Sequence, residues 1–215
     1  WDWAGARRDL EQAEALGADQ AVVQNSRARL LGAAGRHDEA VAAQRRTLEV
    51  EPLAAVFHGN LVHHLLAAGR LDEAREAVRR TLEISPKLDV ALEWQAVLDL
   101  LQGRPEAALL GFQGIQRPAS VRLRNLAVAN HALGRERESM EALAELERDH
   151  PGERFLIAGV HARRGDRDGA FRWLEEAAES RDADLTWMNL SWALRSLRGD
   201  PRYAALLRKM NLPVD

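Results

Sequence analysis

The sequence predicts an all-α protein, an α-solenoid of helix–turn–helix repeats closed by a C-terminal helical cap. Three observations carry that prediction. A six-residue phrase recurs: GRHDEA at 35–40, GRLDEA at 69–74, GRPEAA at 103–108, GRERES at 134–139 and GDRDGA at 165–170. Small residues stand at its last position throughout, Ala40, Ala74, Ala108, Ser139 and Ala170, and Ala6 continues the ladder one period upstream. Aromatic residues make up only 5% of the chain, while Ala, Leu, Glu and Arg dominate, a composition that favours helix over strand. A fixed period of this size is the sign of stacked supersecondary units.

Each repeat reads as two helices. In residues 55–86, Leu61, Val62, Leu65 and Leu66 recur at helical spacing, and Gly69 ends that helix. Asp72 and Glu73 open the next helix, where negative charge suits the helix dipole. Ala74, Ala77, Val78, Leu82 and Ile84 form its apolar stripe, and Pro86 stops it. The small residue five positions after Gly sits where the two helices cross, and a larger side chain there forces them apart. One pair has too little core to be stable alone, so neighbours must stack on it.

A 34-residue helix pair with Gly at the turn, Ala in the second helix and Pro at the end resembles the tetratricopeptide repeat. The matching phrases are Gly35, Ala40 and Pro52; Gly69, Ala74 and Pro86; Gly103, Ala108 and Pro118; Gly134, Ser139 and Pro151; and Gly165 with Ala170. The array is expected over residues 1–182: a half repeat at 1–19, then units at 20–53, 54–87, 88–118, 119–151 and 152–182. Pro118 arrives early and shortens one second helix, and a further shortening falls near HPGE at 150–153. Residues 183–215 are expected to cap the array. A helix over 185–197 is predicted there, then a shorter one from about 201 to 210 with Asp200 as N-cap and Pro201 at its first position.

Composition limits the function classes. Net charge is −3, and the overall balance offers no phosphate-neutralising surface, so no direct nucleic-acid partner is expected. Cysteine is absent, which removes disulfides and thiolate chemistry. No stretch is apolar over 18 residues, so no membrane insertion is expected, and a cytoplasmic location is the reading. The chain opens on Trp1, which suggests a fragment or processed form, with weak self-association through Trp1 and Trp3 at an uncovered N-terminal face; the oligomeric state is otherwise open. Two Lys against 28 Arg suggests a GC-rich bacterial genome.

No enzyme motif is present. The histidines of FHGNLVHH at 57–64 lack the four-residue spacing and intervening Glu of a zinc protease, and read as surface or groove residues. Paired acids such as Asp72–Glu73 read as helix-dipole and ion-pair support. No catalytic residue, metal or cofactor is expected.

The resemblance implies a non-catalytic protein–protein interaction scaffold whose first helices line a concave groove that binds a peptide or partner segment. Those helices are expected near 21–34, 55–68, 89–102, 120–133 and 153–164. The residues expected to face a partner are Asn25, Arg29, Asn60, His63, Glu93, Trp94, Val97, Arg124, Asn125 and Val128. Asn60 and Asn125 match positions that hold peptide backbone in the family, and Arg29 and Arg124 suit a carboxylate. Solvated polar residues, or core packing for Trp94, are the alternative readings. The C-terminal stretch also resembles the tail of bacterial multidomain tetratricopeptide proteins. The alternative function is therefore a sensory or regulatory region of a signalling protein, a transcriptional regulator, cyclase or kinase, with its output domain upstream.

Overall fold

The computed structural model describes residues 1–214, and these form helices without any strand. Twelve α-helices follow in order: α1 (Trp3–Ala15), α2 (Gln20–Ala33), α3 (His37–Val50), α4 (Ala55–Ala67), α5 (Leu71–Ile84), α6 (Asp89–Leu101), α7 (Pro105–Gln113), α8 (Ala119–Ala132), α9 (Glu136–Asp149), α10 (Arg154–Arg163), α11 (Arg167–Glu179) and α12 (Pro201–Lys209). Two 3-10 segments, Ala183–Leu190 and Arg195–Leu197, lie between the last two. The five expected first helices appear as α2, α4, α6, α8 and α10, within two residues of the expected ends.

The chain divides into two compact units. The first holds Trp1–Pro86 with Thr186–Trp192 and the chain from Leu207 onward. It contains α1, the pair α2–α3 and the pair α4–α5. The second holds Lys87–Leu185 with Ala193–Leu206, and contains the pairs α6–α7, α8–α9 and α10–α11.

Every pair closes in the same way. Gly35, Gly69, Gly103, Gly134 and Gly165 have φ between 70° and 82°, a conformation that a Cβ strains. The amide after each Gly donates to a carbonyl five residues back, as in Arg36 to Leu31 (2.9 Å) and Arg70 to Leu65 (2.9 Å), which satisfies a carbonyl orphaned at the helix end. The reversal then lays the second helix against the first. Ala40, Ala74, Ala108, Ser139 and Ala170 are completely buried at the crossing. Ser139 keeps its hydroxyl there by donating to the Ala127 carbonyl at 2.7 Å. Ala6 holds the same register in α1 but is exposed, and α1 buries none of its residues completely.

Successive pairs are joined through polar as well as apolar contacts. In the first unit Gln44 of α3 is buried and donates to the Phe57 carbonyl of α4 at 3.0 Å. In the second, α7 has nine residues against fourteen in α3, α5 and α9, because Pro118 begins the next helix early. Gly111 lets the short α7 approach α6, since a Cβ there would meet the Ala96 Cβ at 2.9 Å. The second shortening falls on a first helix: α9 keeps its full length, and α10 has ten residues.

The C-terminal region departs from the expected helix at 185–197, which is replaced by the two 3-10 segments. Leu185, Met188, Asn189, Leu190, Trp192, Ala193, Leu194 and Leu197 are all buried. Eight of the thirteen positions are buried, more than one α-helical stripe provides, and these residues are divided between the two units. The final helix α12 forms as expected behind Asp200 and Pro201. Asp200 accepts from the Arg202 amide (3.0 Å) and from its guanidinium, while Arg202 also reaches Asp168 of α11 (2.7 Å) and stacks 4.2 Å above the Phe171 ring. The Arg202 guanidinium, with the backbone amide second, holds the Asp200 carboxyl down at about 2.

Two outcomes test these contacts. Ala74→Leu overfills a helix crossing and is expected to lower stability by about 1–3 kcal/mol, whereas Ala6→Leu should stay within about 0.5 kcal/mol, both measured by urea unfolding. Because the folded-state pKa of Asp200 lies below its ordinary 3.8, its stabilisation is present above that pH and lost as pH falls toward 2. Asp200→Asn should therefore melt below the parent at pH 7, and the gap should close near pH 2.

Candidate functional site

In the first unit the first helices α2 and α4 present a common face. Asn25 and Asn60 meet on it, the Asn60 amide donating to the Asn25 side-chain oxygen at 2.8 Å. One turn further on in each helix come Arg29 and His63. Arg29 is exposed and His63 half-buried. Their partner comes from the C-terminal region: the Trp187 ring lies 5.2 Å from the Arg29 guanidinium carbon and 5.2 Å from the His63 ring centre. A cation over an indole face is attracted by the ring quadrupole.

The rest of that segment is seated by two further contacts. Asn189 donates to the Ala33 carbonyl at the end of α2 (2.9 Å). Leu190 lies over Gly32, where a Cβ would meet its methyl carbon at 2.8 Å and the His64 ring at 3.1 Å. His64 is thereby buried, and burial, with His37 and Arg29 nearby, pushes its pKa down to about 4. It is neutral near pH 7 and acts as a packing group. His58 binds the Pro52 carbonyl at 2.8 Å, so the three histidines of FHGNLVHH have three separate structural surroundings.

In the second unit the corresponding residues face inward. Val97 and Val128 are core side chains, and Trp94, Glu93 and Asn125 are also buried. Glu93 of α6 receives Arg117 (2.7 Å), Arg124 and the Asn125 amide (3.2 Å). Arg124 also donates to the Asn125 oxygen at 2.8 Å. Burial pushes the Arg124 pKa down and Glu93 pushes it back up. The carboxylate that sequence reasoning sought for Arg124 in a partner is thus present within the chain. A buried acid on one first helix and two arginines one repeat later was the available signal.

A third polar group joins α9, α10 and α11. The buried His161 contacts Glu147 through Nε2 and Asp166 through Nδ1, both at 2.8 Å. Asp166 also caps α11 through the Gly169 amide (2.9 Å), and that amide is the main reason its pKa is lowered. Among the described residues no group of three or more His, Cys, Asp or Glu side chains is arranged to hold a metal ion. No described helix is long and apolar enough to cross a membrane.

The residues missed by sequence reasoning are Trp187, Asn189 and Leu190. In the fold Trp187 is half-buried against Arg29 and His63.

The buried cluster yields a clean test. Glu93→Ala leaves the Arg124 guanidinium buried without its carboxylate and should cost about 3–5 kcal/mol in denaturant unfolding. The double change Glu93→Met with Arg124→Met should recover most of that loss, because the more deeply buried guanidinium goes with the carboxylate and Arg117, 30% exposed, can turn to solvent.

Comparison with known proteins bears on the repeats. The tetratricopeptide-repeat family model matches residues 31–101. No curated protein matches the sequence closely enough to count as a relative. Among solved structures, the crystal structure of YrrB, described as a TPR protein with an unusual peptide-binding site, is similar over 82% of this chain and 95% of that one, at 16% identity and a TM-score of 0.49.

Proposed function

We propose that this chain is a non-catalytic protein-interaction scaffold that holds a short partner segment on the first-helix face of its first unit. One observation carries the reading: that face already receives a short stretch of polypeptide, residues 187–190, the end of the first 3-10 segment. It does so with an aromatic anchor against Arg29 and His63, an amide-to-carbonyl hydrogen bond at Ala33 and a leucine in the notch above Gly32. These are the contacts by which a folded surface recognises a peptide: an anchor side chain, a main-chain hydrogen bond and a shaped pocket. The match of the repeat family to residues 31–101, which include α4, supports the same reading.

Asn25, Arg29, Asn60 and His63 supply the accessible part of the face. The amides of Asn25 and Asn60 pair with each other now and are free to turn toward a peptide backbone at the loss of one hydrogen bond. Glu93, Trp94, Val97, Arg124, Asn125 and Val128 serve the reading as the internal support of the second unit.

Affinity in an open face is modest, about −8 kcal/mol or micromolar, because the segment loses conformational freedom on binding. Selection of a displayed random-peptide library on the folded protein tests the proposal. Enriched peptides should carry an aromatic residue and, three positions later, an aliphatic one, the spacing of Trp187 and Leu190. Asn60→Ala and His63→Ala should each weaken them about tenfold, near 1.4 kcal/mol, without unfolding the protein. A library with no enrichment, or peptides that bind both variants like the parent, would reject this face.

A further inference from the structure

Beside the seated segment, the first unit contains a cleft of about 410 Å³ between α1, α2 and residues 186–190. Its volume lies within the range of small-molecule sites, about 300–1,000 Å³. The walls are largely apolar: Trp3 and Leu10, about two turns apart on α1, Leu30 on α2, and the Trp187 indole. The Trp3 wall is held in place, its indole N–H donating to the Met210 carbonyl at 2.7 Å.

Two charged residues also line this space, Asp9 on α1 and Arg29 on α2, both open to solvent. Neither has a salt-bridge partner within 4.0 Å among the described residues, and Arg29 makes only its stacking contact with Trp187. Several other arginines of the first unit find carboxylates: Arg27 reaches Glu14 (2.6 Å), Arg36 reaches Glu39, and Arg45 and Arg70 reach Glu73. An anion and a cation that form no salt bridge with each other, on two helices lining one largely apolar cleft, match a ligand that carries both charges and an apolar body.

We infer that this cleft binds a small amphipathic zwitterion, an α-amino acid with an aromatic or branched aliphatic side chain. Arg29 takes the carboxylate, with its guanidinium already oriented by Trp187. Asp9 takes the ammonium group. The side chain lies among Trp3, Leu10 and Leu30, where burial of apolar surface supplies the driving force. The cleft shares Arg29 and Trp187 with the peptide face but not Asn60 or His63, so Asp9→Asn and the single-charge analogues test it apart from that face.

Trp3 and Trp187 line the cleft, so their emission reports occupancy directly. The full chain is titrated with L-phenylalanine and L-leucine, then with 3-phenylpropionate, which lacks the amine, and phenethylamine, which lacks the carboxylate. Saturable emission change and heat are expected for both amino acids, with each single-charge analogue at least about tenfold weaker. Asp9→Asn should weaken phenylalanine and phenethylamine and leave phenylpropionate unchanged. Arg29→Ala should weaken phenylalanine and phenylpropionate and leave phenethylamine unchanged. Arg29→Lys, which keeps the charge, guards against loss of the Trp187 contact and should retain part of the affinity; melting curves verify folding of each variant. No saturable signal from either amino acid up to about 20 mM, a range that reaches affinities near −2 kcal/mol, would overturn the inference. So would binding that Asp9→Asn and both Arg29 variants leave unchanged.

Discussion

The close crossing of two helices at a single small side chain is the constraint on which the rest of this structure depends. Five times a glycine in the left-handed conformation ends a first helix, and five residues later an Ala or Ser of the second helix lies buried where the two cross. Main-chain geometry sets the reversal, and the absent side chain sets the distance. With both in place, the apolar stripes of each pair meet. The pair then offers its remaining apolar surface to the next, which is how a chain with few aromatics assembles a continuous core within each unit.

The two units spend their polar residues differently. In the first, the first-helix face keeps Asn25, Arg29, Asn60 and His63 within reach of solvent and of a seated peptide stretch. In the second, the equivalent helices turn Glu93, Arg124 and Asn125 upon one another. A buried carboxylate with two guanidinium partners is satisfied, so the cluster fixes the spacing of α6 and α8 and leaves little unmet bonding capacity for a ligand. Function is therefore sought where side chains are accessible or charges unpaired, which on both counts points to the first unit.

The C-terminal region links fold and function. Its final helix is anchored by Asp200, Arg202 and Asp168, and by the cation over Phe171. The stretch before it contributes Trp187, Asn189 and Leu190 to the first unit. These residues lie more than 120 positions from the helices they touch, as Asn189 does from Ala33. They pack on the shared face of α2 and α4 and form one wall of the cleft beside it.

The repeat was legible in the sequence because its determinants are local. A glycine that ends a helix, acids in the next first turn and a proline at the close act within a few residues, so GRLDEA and its echoes placed every first helix to within two residues. The small residue at the crossing was readable for the same reason: it recurs at a fixed distance from the turn. Which polar groups became surface and which became core depended on distant partners. Nothing beside Arg124 in sequence marks Glu93 as its carboxylate. Nothing near Arg29 announces Trp187. The expected helix at 185–197 failed because the buried residues there belong to two different units, and local propensity has no term for that. The sequence by itself determined the helices, their turns and their pairing, since those follow from backbone chemistry at short range. Only the tertiary structure decided the site, because contacts between residues far apart in the chain are set by packing.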